Sequence, residues 1–127
     1  MTPKFRAWIK TENCFADYIE SIRFYINEID LCWGGICESD CFDFKDVILM
    51  QSTDMVDRDG KIIFEGDIVK MSKDVYSEPT YYEVVRHYGG AYRLESKQHG
   101  CELWLRHTDC EVVGNVYENQ ELLEDKE

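Results

Sequence analysis

The feature that most constrains this chain is its rhythm: short segments rich in aromatic and β-branched residues, each closed by a turn signal. The segment KFRAWIK alternates, with Phe5, Ala7 and Ile9 on one face and Arg6, Trp8 and Lys10 on the other, which is a strand period. SIRFYINEID predicts a further strand: Ile22, Tyr25, Ile26 and Ile29 would also suit a helix, but Ile and Tyr dominate and no clear cap precedes them. DVILMQS reads as a short buried run, and DRDGK as a turn with Gly60 at positive φ. YYEVVRHY then predicts a strand, GGA a turn and AYRLES the hairpin partner, with CELWLRH and CEVVGNVY continuing the series. Many short strands at close spacing predict a mostly β fold, a sandwich or a barrel/meander. The polar tail ENQELLEDKE ends the chain as a last helical turn or a frayed end. No repeat or linker divides the sequence, and prolines occur only at Pro3 and Pro79, so one domain over 1–127 is expected.

The most patterned stretch, MVDRDGKIIFEGDIVKM, breaks at Glu65-Gly66-Asp67. Phe64 ends one apolar run and Ile68 begins the next. Glycine tolerates the left-handed conformation such a corner needs, and aspartate hydrogen-bonds nearby backbone amides. The corner therefore reads as backbone routing. Small SH3-like barrels, including RNA-binding ones, carry a similar Gly-Asp before a strand. A nucleic-acid reading wants basic residues around it. Lys61, Lys70 and Lys73 are near, but so are Asp57, Asp59, Glu65, Asp67 and Asp74.

Charge narrows the partner class. The 127 residues carry 26 acids against 14 bases, a net of -12. Nucleic-acid affinity rests on basic side chains that release counterions, so nucleic acid is an unlikely partner. An acidic surface instead meets a basic protein or simply keeps the chain soluble. Apolar residues at 44% and aromatics at 13% allow a core without a metal or disulfide staple. No apolar run is long enough to cross a membrane, and MTPKFRAWIKTEN lacks the apolar region of a signal peptide. A cytoplasmic location with reduced cysteines is the expectation.

Three blocks carry a family resemblance: KFRAW near the start, DVILMQSTDMVDRDGKIIFEGDIVK in the middle and EVVGNVYENQELL near the end. In this order they resemble the YopX protein family of phages and prophages. The family's central block has Thr-Gly where this chain has Thr53-Asp54, and its last block has proline at the position of Gln120; both departures are expected in turns. The resemblance implies a mostly β, barrel-like domain with SH3-like character, encoded by a phage or prophage and acting in a bacterium. It implies no enzyme, cofactor or catalytic residue. Gly66, Asp67, Gly114 and Asn115 fall among the shared positions as backbone determinants.

The residues offer few sites. His99, Cys101, His107 and Cys110 have the composition of a zinc set. If CELWLR is extended, Cys101 and His107 stand roughly 20 Å apart at about 3.3 Å per residue, too far to share one ion without a fold-back. Cys32, Cys37 and Cys41 lack the C-x-x-C gap and a nearby histidine, and Gly34-Gly35 turns the chain between them; they read as small buried hydrophobes. There is no G-x-S-x-G elbow and no Walker loop, and HYGGAY reads as a hairpin turn. A Cys–His enzyme remains the second alternative after a nucleic-acid accessory factor. Trp8, Trp33 and Trp104, with Tyr81, Tyr82, Tyr88 and Tyr92, exceed what a small core needs. Tyr82, Val84 and Arg86 share one strand face; Tyr81, Glu83, Val85 and His87 share the other. Surface aromatics favour a non-catalytic binding role, toward a basic host or phage protein or toward a second copy of the chain.

Overall fold

The computed structural model describes residues 4–35, 38–72, 78–86, 91–96 and 100–123. The chain divides into two compact units, Met1–Gln51 and Ser52–Glu127. The mostly β expectation holds: twelve strands, all in antiparallel ladders, account for most of the described chain.

In the first unit, β1 (Phe5–Ile9) pairs with β2 (Cys14–Phe15) and, from Phe5↔Gln51 to Ile9↔Val47, with the start of β6 (Val47–Val56). A meander of β3 (Tyr18–Arg23), β4 (Glu28–Cys32) and β5 (Ser39–Asp43) forms a second sheet, followed by a 3-10 turn at Phe44–Asp46. Ala7, Ile9, Ile29, Leu31 and Val47 are its core. Trp8 is buried as well as Ala7 and Ile9, so both faces of β1 are covered although the sequence alternates. SIRFYINEID is two strands, not the one expected. Phe24 to Asn27 make the turn between β3 and β4, and Asn27 takes the left-handed conformation at φ 57°, which its short polar side chain tolerates.

The second unit takes up β6 at Ser52 and adds β7 (Ile62–Phe64), β8 (Asp67–Met71), β9 (Thr80–Arg86), β10 (Tyr92–Glu95), β11 (Gly100–Glu102) and β12 (Glu111–Asn115). Five of these form one sheet in the order β11-β10-β9-β8-β12. Its core is Ile63, Val69, Met71, Tyr82, Val84, Leu94, Leu103 and Cys110. CELWLRH departs from the expected strand after Glu102: Leu103–Arg106 is one helical turn, α1, running into a 3-10 turn at His107–Asp109. Leu and Arg are good helix formers, and the turn sinks Leu103 into the core while Arg106 reaches the Ser72 carbonyl. A 3-10 turn at Gln120–Leu123 supplies the last helical turn of the tail; residues 124–127 lie outside the described residues.

The Gly-Asp corner is structural. Gly66 sits at φ 86°, donates its N–H to the Val84 carbonyl and accepts from Val116, so it links β9 to the segment after β12. Asp67 is buried and accepts from the Phe64 amide across the turn at 2.8 Å. Gly66→Ala is expected to destabilise the chain by about 1 kcal/mol, because an L side chain is strained at that φ. Urea unfolding checks this, and an unchanged midpoint would refute it. Asp54, where the family's glycine falls, is also left-handed at φ 63°. It lies inside β6, where the register with β7 shifts, rather than in the expected turn.

Asp57 closes the next turn. Its Oδ1 accepts from the Asp59 and Lys61 amides, its Oδ2 from Val112 on β12, all at 2.9 Å, and the residue is 3% exposed. Gly60 takes φ 83°, as the DRDGK motif predicts.

Candidate functional site

The first unit presents an apolar tip. The turn between β3 and β4 carries Phe24, Tyr25 and Ile26 in succession, 72%, 82% and 46% exposed. Three consecutive bulky side chains at a hairpin tip bury little in the chain itself, and such patches mark interaction sites. The tip is built, not frayed. The Phe44 amide donates to the Asn27 carbonyl at 2.9 Å, and the Phe24 ring meets Phe44 edge-on at 5.8 Å between centroids.

Below the tip a charged network ties the two strands. Arg23 on β3 bridges Asp30 and Glu28 on β4, and the Ser21 hydroxyl donates to Asp30 at 2.7 Å. The Arg23 guanidinium and the Ser21 hydroxyl hold the Asp30 carboxyl down to about 2, and Asp30, with Glu28, raises Arg23. Such solvent-facing pairs contribute little stability, but they fix the hairpin's geometry. Cys41 on β5 lies within reach of Arg23 at 3.5 Å; desolvation by its neighbours first, then Glu28, pushes its thiol up.

Among the described residues no three His, Cys, Asp or Glu side chains are arranged to hold a metal ion. His99 and Cys37 lie outside the described residues, as do His87, Tyr88, Gly89, Gly90, Lys73 and Asp74. The extended geometry used to separate Cys101 from His107 is replaced by α1, which shortens the path. His107 Nδ1 is engaged with the Val56 carbonyl at 2.7 Å. Cys110 is fully buried, hydrogen-bonds to the Arg106 carbonyl, and burial pushes its thiol up to about 12. That environment suppresses the thiolate a nucleophile requires. Cys32 is a buried hydrophobe as expected; Cys41 is exposed, contrary to that reading.

The aromatics divide. Trp8 and Tyr82 are core, Trp33 donates its indole N–H to Asp40 at 2.9 Å, and Trp104 stands exposed with Leu105 on α1. Phe24 and Tyr25, the most exposed aromatics among the described residues, escaped the sequence reading because SIRFYINEID was read as one continuous strand. Asn27 directly after them is the signal that marks the turn. Four arginines are held in ion pairs: Arg58 with Glu111, Arg93 with Glu102, Arg106 with Asp109 and Arg23 with Asp30. No helix among the described residues is long and apolar enough to cross a membrane.

A family model described as YopX protein matches residues 4–124. Among solved structures, protein EF1440 from Enterococcus faecalis is 27% identical at a TM-score of 0.66, with 98% of this chain and 99% of that chain covered. Protein yopX from Bacillus subtilis is 23% identical at a TM-score of 0.65, with 97% of each chain covered, and this likeness concerns the fold. No curated protein matches.

Proposed function

The chain belongs to the YopX family, and from that premise we propose that it is a non-catalytic protein-binding module of a phage or prophage. It acts in the bacterial cytoplasm on a host or phage protein with a basic surface. The observation that carries this reading is the Phe24-Tyr25-Ile26 tip, apolar and exposed in a chain of net charge -12. Aromatic anchors supply binding energy, and surrounding acids steer a basic partner and set the association rate. The occupied arginines and the buried Cys110 thiol favour this over a nucleic-acid accessory or a Cys–His enzyme.

The test uses Tyr25→Ser with Ile26→Ser, leaving Phe24 in place on Phe44. Wild type and variant are compared as baits in bacterial lysate, and the captured protein is identified by mass spectrometry and purified. Binding to the variant is expected to be at least about tenfold weaker, the loss typical of an interface anchor. The association rate is expected to fall as salt rises while dissociation changes less. Equal capture by both baits, or an acidic partner, would sink the proposal. Loss of a dimer in the variant would instead make a second copy the partner.

A further inference from the structure

The second unit carries a groove over the β9–β10 ladder with a volume of ≈ 410 Å³. Tyr81, Glu83 and Val85 of β9 and Glu95 of β10 form its floor, and Gln120 and Leu123 of the C-terminal 3-10 turn form one wall. Glu83 and Glu95 are direct partners in the antiparallel register, so their carboxylates leave the sheet on the same side and next to each other. Like charges placed directly opposite one another destabilise a sheet. No ion pair or hydrogen bond to a described residue offsets this pair. Arg93, two residues before Glu95 on the same side of β10, is committed to Glu102 at 2.6 Å. Lys70, opposite Tyr81 on β8, lies outside the groove lining. Burial first, and then the charge of Glu95, raises the Glu83 carboxyl above its usual range.

Glu83 is half-buried and Glu95 exposed beside it, and neither carboxylate has a basic partner among the described residues; a cationic ligand supplies one. We propose that this groove receives a lysine or arginine side chain from the basic partner, its cation between Glu83 and Glu95 and its aliphatic stem along Val85 and Leu123. The fit follows from the lining. Long basic side chains bury an apolar stem while the charged head seeks carboxylates. The inference rests on the partner being basic, but it concerns residues apart from the Phe24–Ile26 tip.

The probe is a short alanine–lysine peptide, with the same peptide carrying acetyl-lysine as the uncharged arm. Titration into the isotope-labelled full chain is read from amide chemical shifts. Shifts are expected to gather in residues 80–86 and 92–96 for the lysine peptide and to be absent for the acetylated one. Glu83→Gln and Glu95→Gln are each expected to weaken binding about tenfold. Glu12→Gln and Glu20→Gln, the same charge change at exposed positions of the first unit, are expected to stay within about twofold. In the free chain Glu83→Gln is expected to raise the Tm, since it removes the repulsion that the ligand relieves; a structural role would lower it. Shifts spread over the whole surface, or equal losses in the Glu12 and Glu20 variants, overturn the groove while leaving a basic partner standing. Absence of lysine-peptide binding also overturns the groove, and the Tyr25/Ile26 capture result then decides the broader reading by itself.

Discussion

Asp57→Ala is expected to cost about 3–4 kcal/mol, the largest effect of any single polar substitution among the described residues. The carboxylate accepts from three amides: Asp59, Lys61 and Val112. Removing it takes the acceptor from three part-buried amide bonds, each worth about 1–3 kcal/mol when left unsatisfied, with partial relief from entering water. Two of the bonds hold the β6–β7 turn, and the third fastens that turn to β12. Thermal unfolding should show a Tm lowered by about 10 °C or more in a chain of this length. Asp57→Asn is the sharper control. An amide oxygen at the Oδ1 position keeps the Asp59 and Lys61 bonds, but its NH2 then faces the Val112 N–H, donor against donor. Its loss should be about half that of alanine. If both variants unfold like wild type, the turn is not the anchor described.

The same carboxyl gives a pH signature. Burial by itself would push Asp57 up, but the Val112, Lys61 and Asp59 amides outweigh it and its value is lowered. A carboxyl depressed in the folded state contributes stability that is present above its unfolded value of about 4. That contribution is lost as pH falls through the folded value. Wild type should therefore lose stability on the acid side more steeply than Asp57→Asn, with the two curves converging at low pH.

Much of this was legible in the residues. Alternation and turn chemistry located the β9–β10 hairpin, the Gly60 and Gly66 turns and the break between β7 and β8, because those elements follow local rules. The misreadings share a cause. LWLR alternates like a strand, yet tertiary burial of Leu103 and the Arg106–Ser72 contact make it a helical turn. FYIN looks like the middle of a strand because its apolar residues match the pattern of buried ones, and nothing local says that they remain exposed. The groove was half visible: Tyr81, Glu83 and Val85 were placed on one face of β9. The pairing of Glu83 with Glu95 needs the register, and the wall needs the folded tail; neither is encoded nearby in sequence.

That wall depends on a glycine. A Cβ on Gly114 would fall 2.4 Å from Asn119 Oδ1, 2.6 Å from its Cγ and 2.8 Å from its Cβ. Asn119 has little freedom to swing away. Its Oδ1 accepts from the Asn115 amide at 3.2 Å and its own N–H donates to the Asn115 carbonyl at 2.9 Å, while the Asn115 side chain accepts from Tyr117 and Glu118. Together these bonds set the direction in which the chain enters the Gln120–Leu123 turn. Gly114→Ala is expected to cost about 2 kcal/mol through overpacking. The cost should not simply add to that of a second change: Asn119→Gly removes all three clashing atoms, so it should recover most of the overpacking energy in the double variant. It should not restore the turn, because the Asn119 side-chain bond is gone. If Gln120 and Leu123 wall the basic-side-chain groove, the double variant regains stability yet still binds the lysine peptide weakly. Unfolding curves and peptide titrations on the same samples separate the two effects. Recovery of stability and binding together would show that the groove does not need this wall.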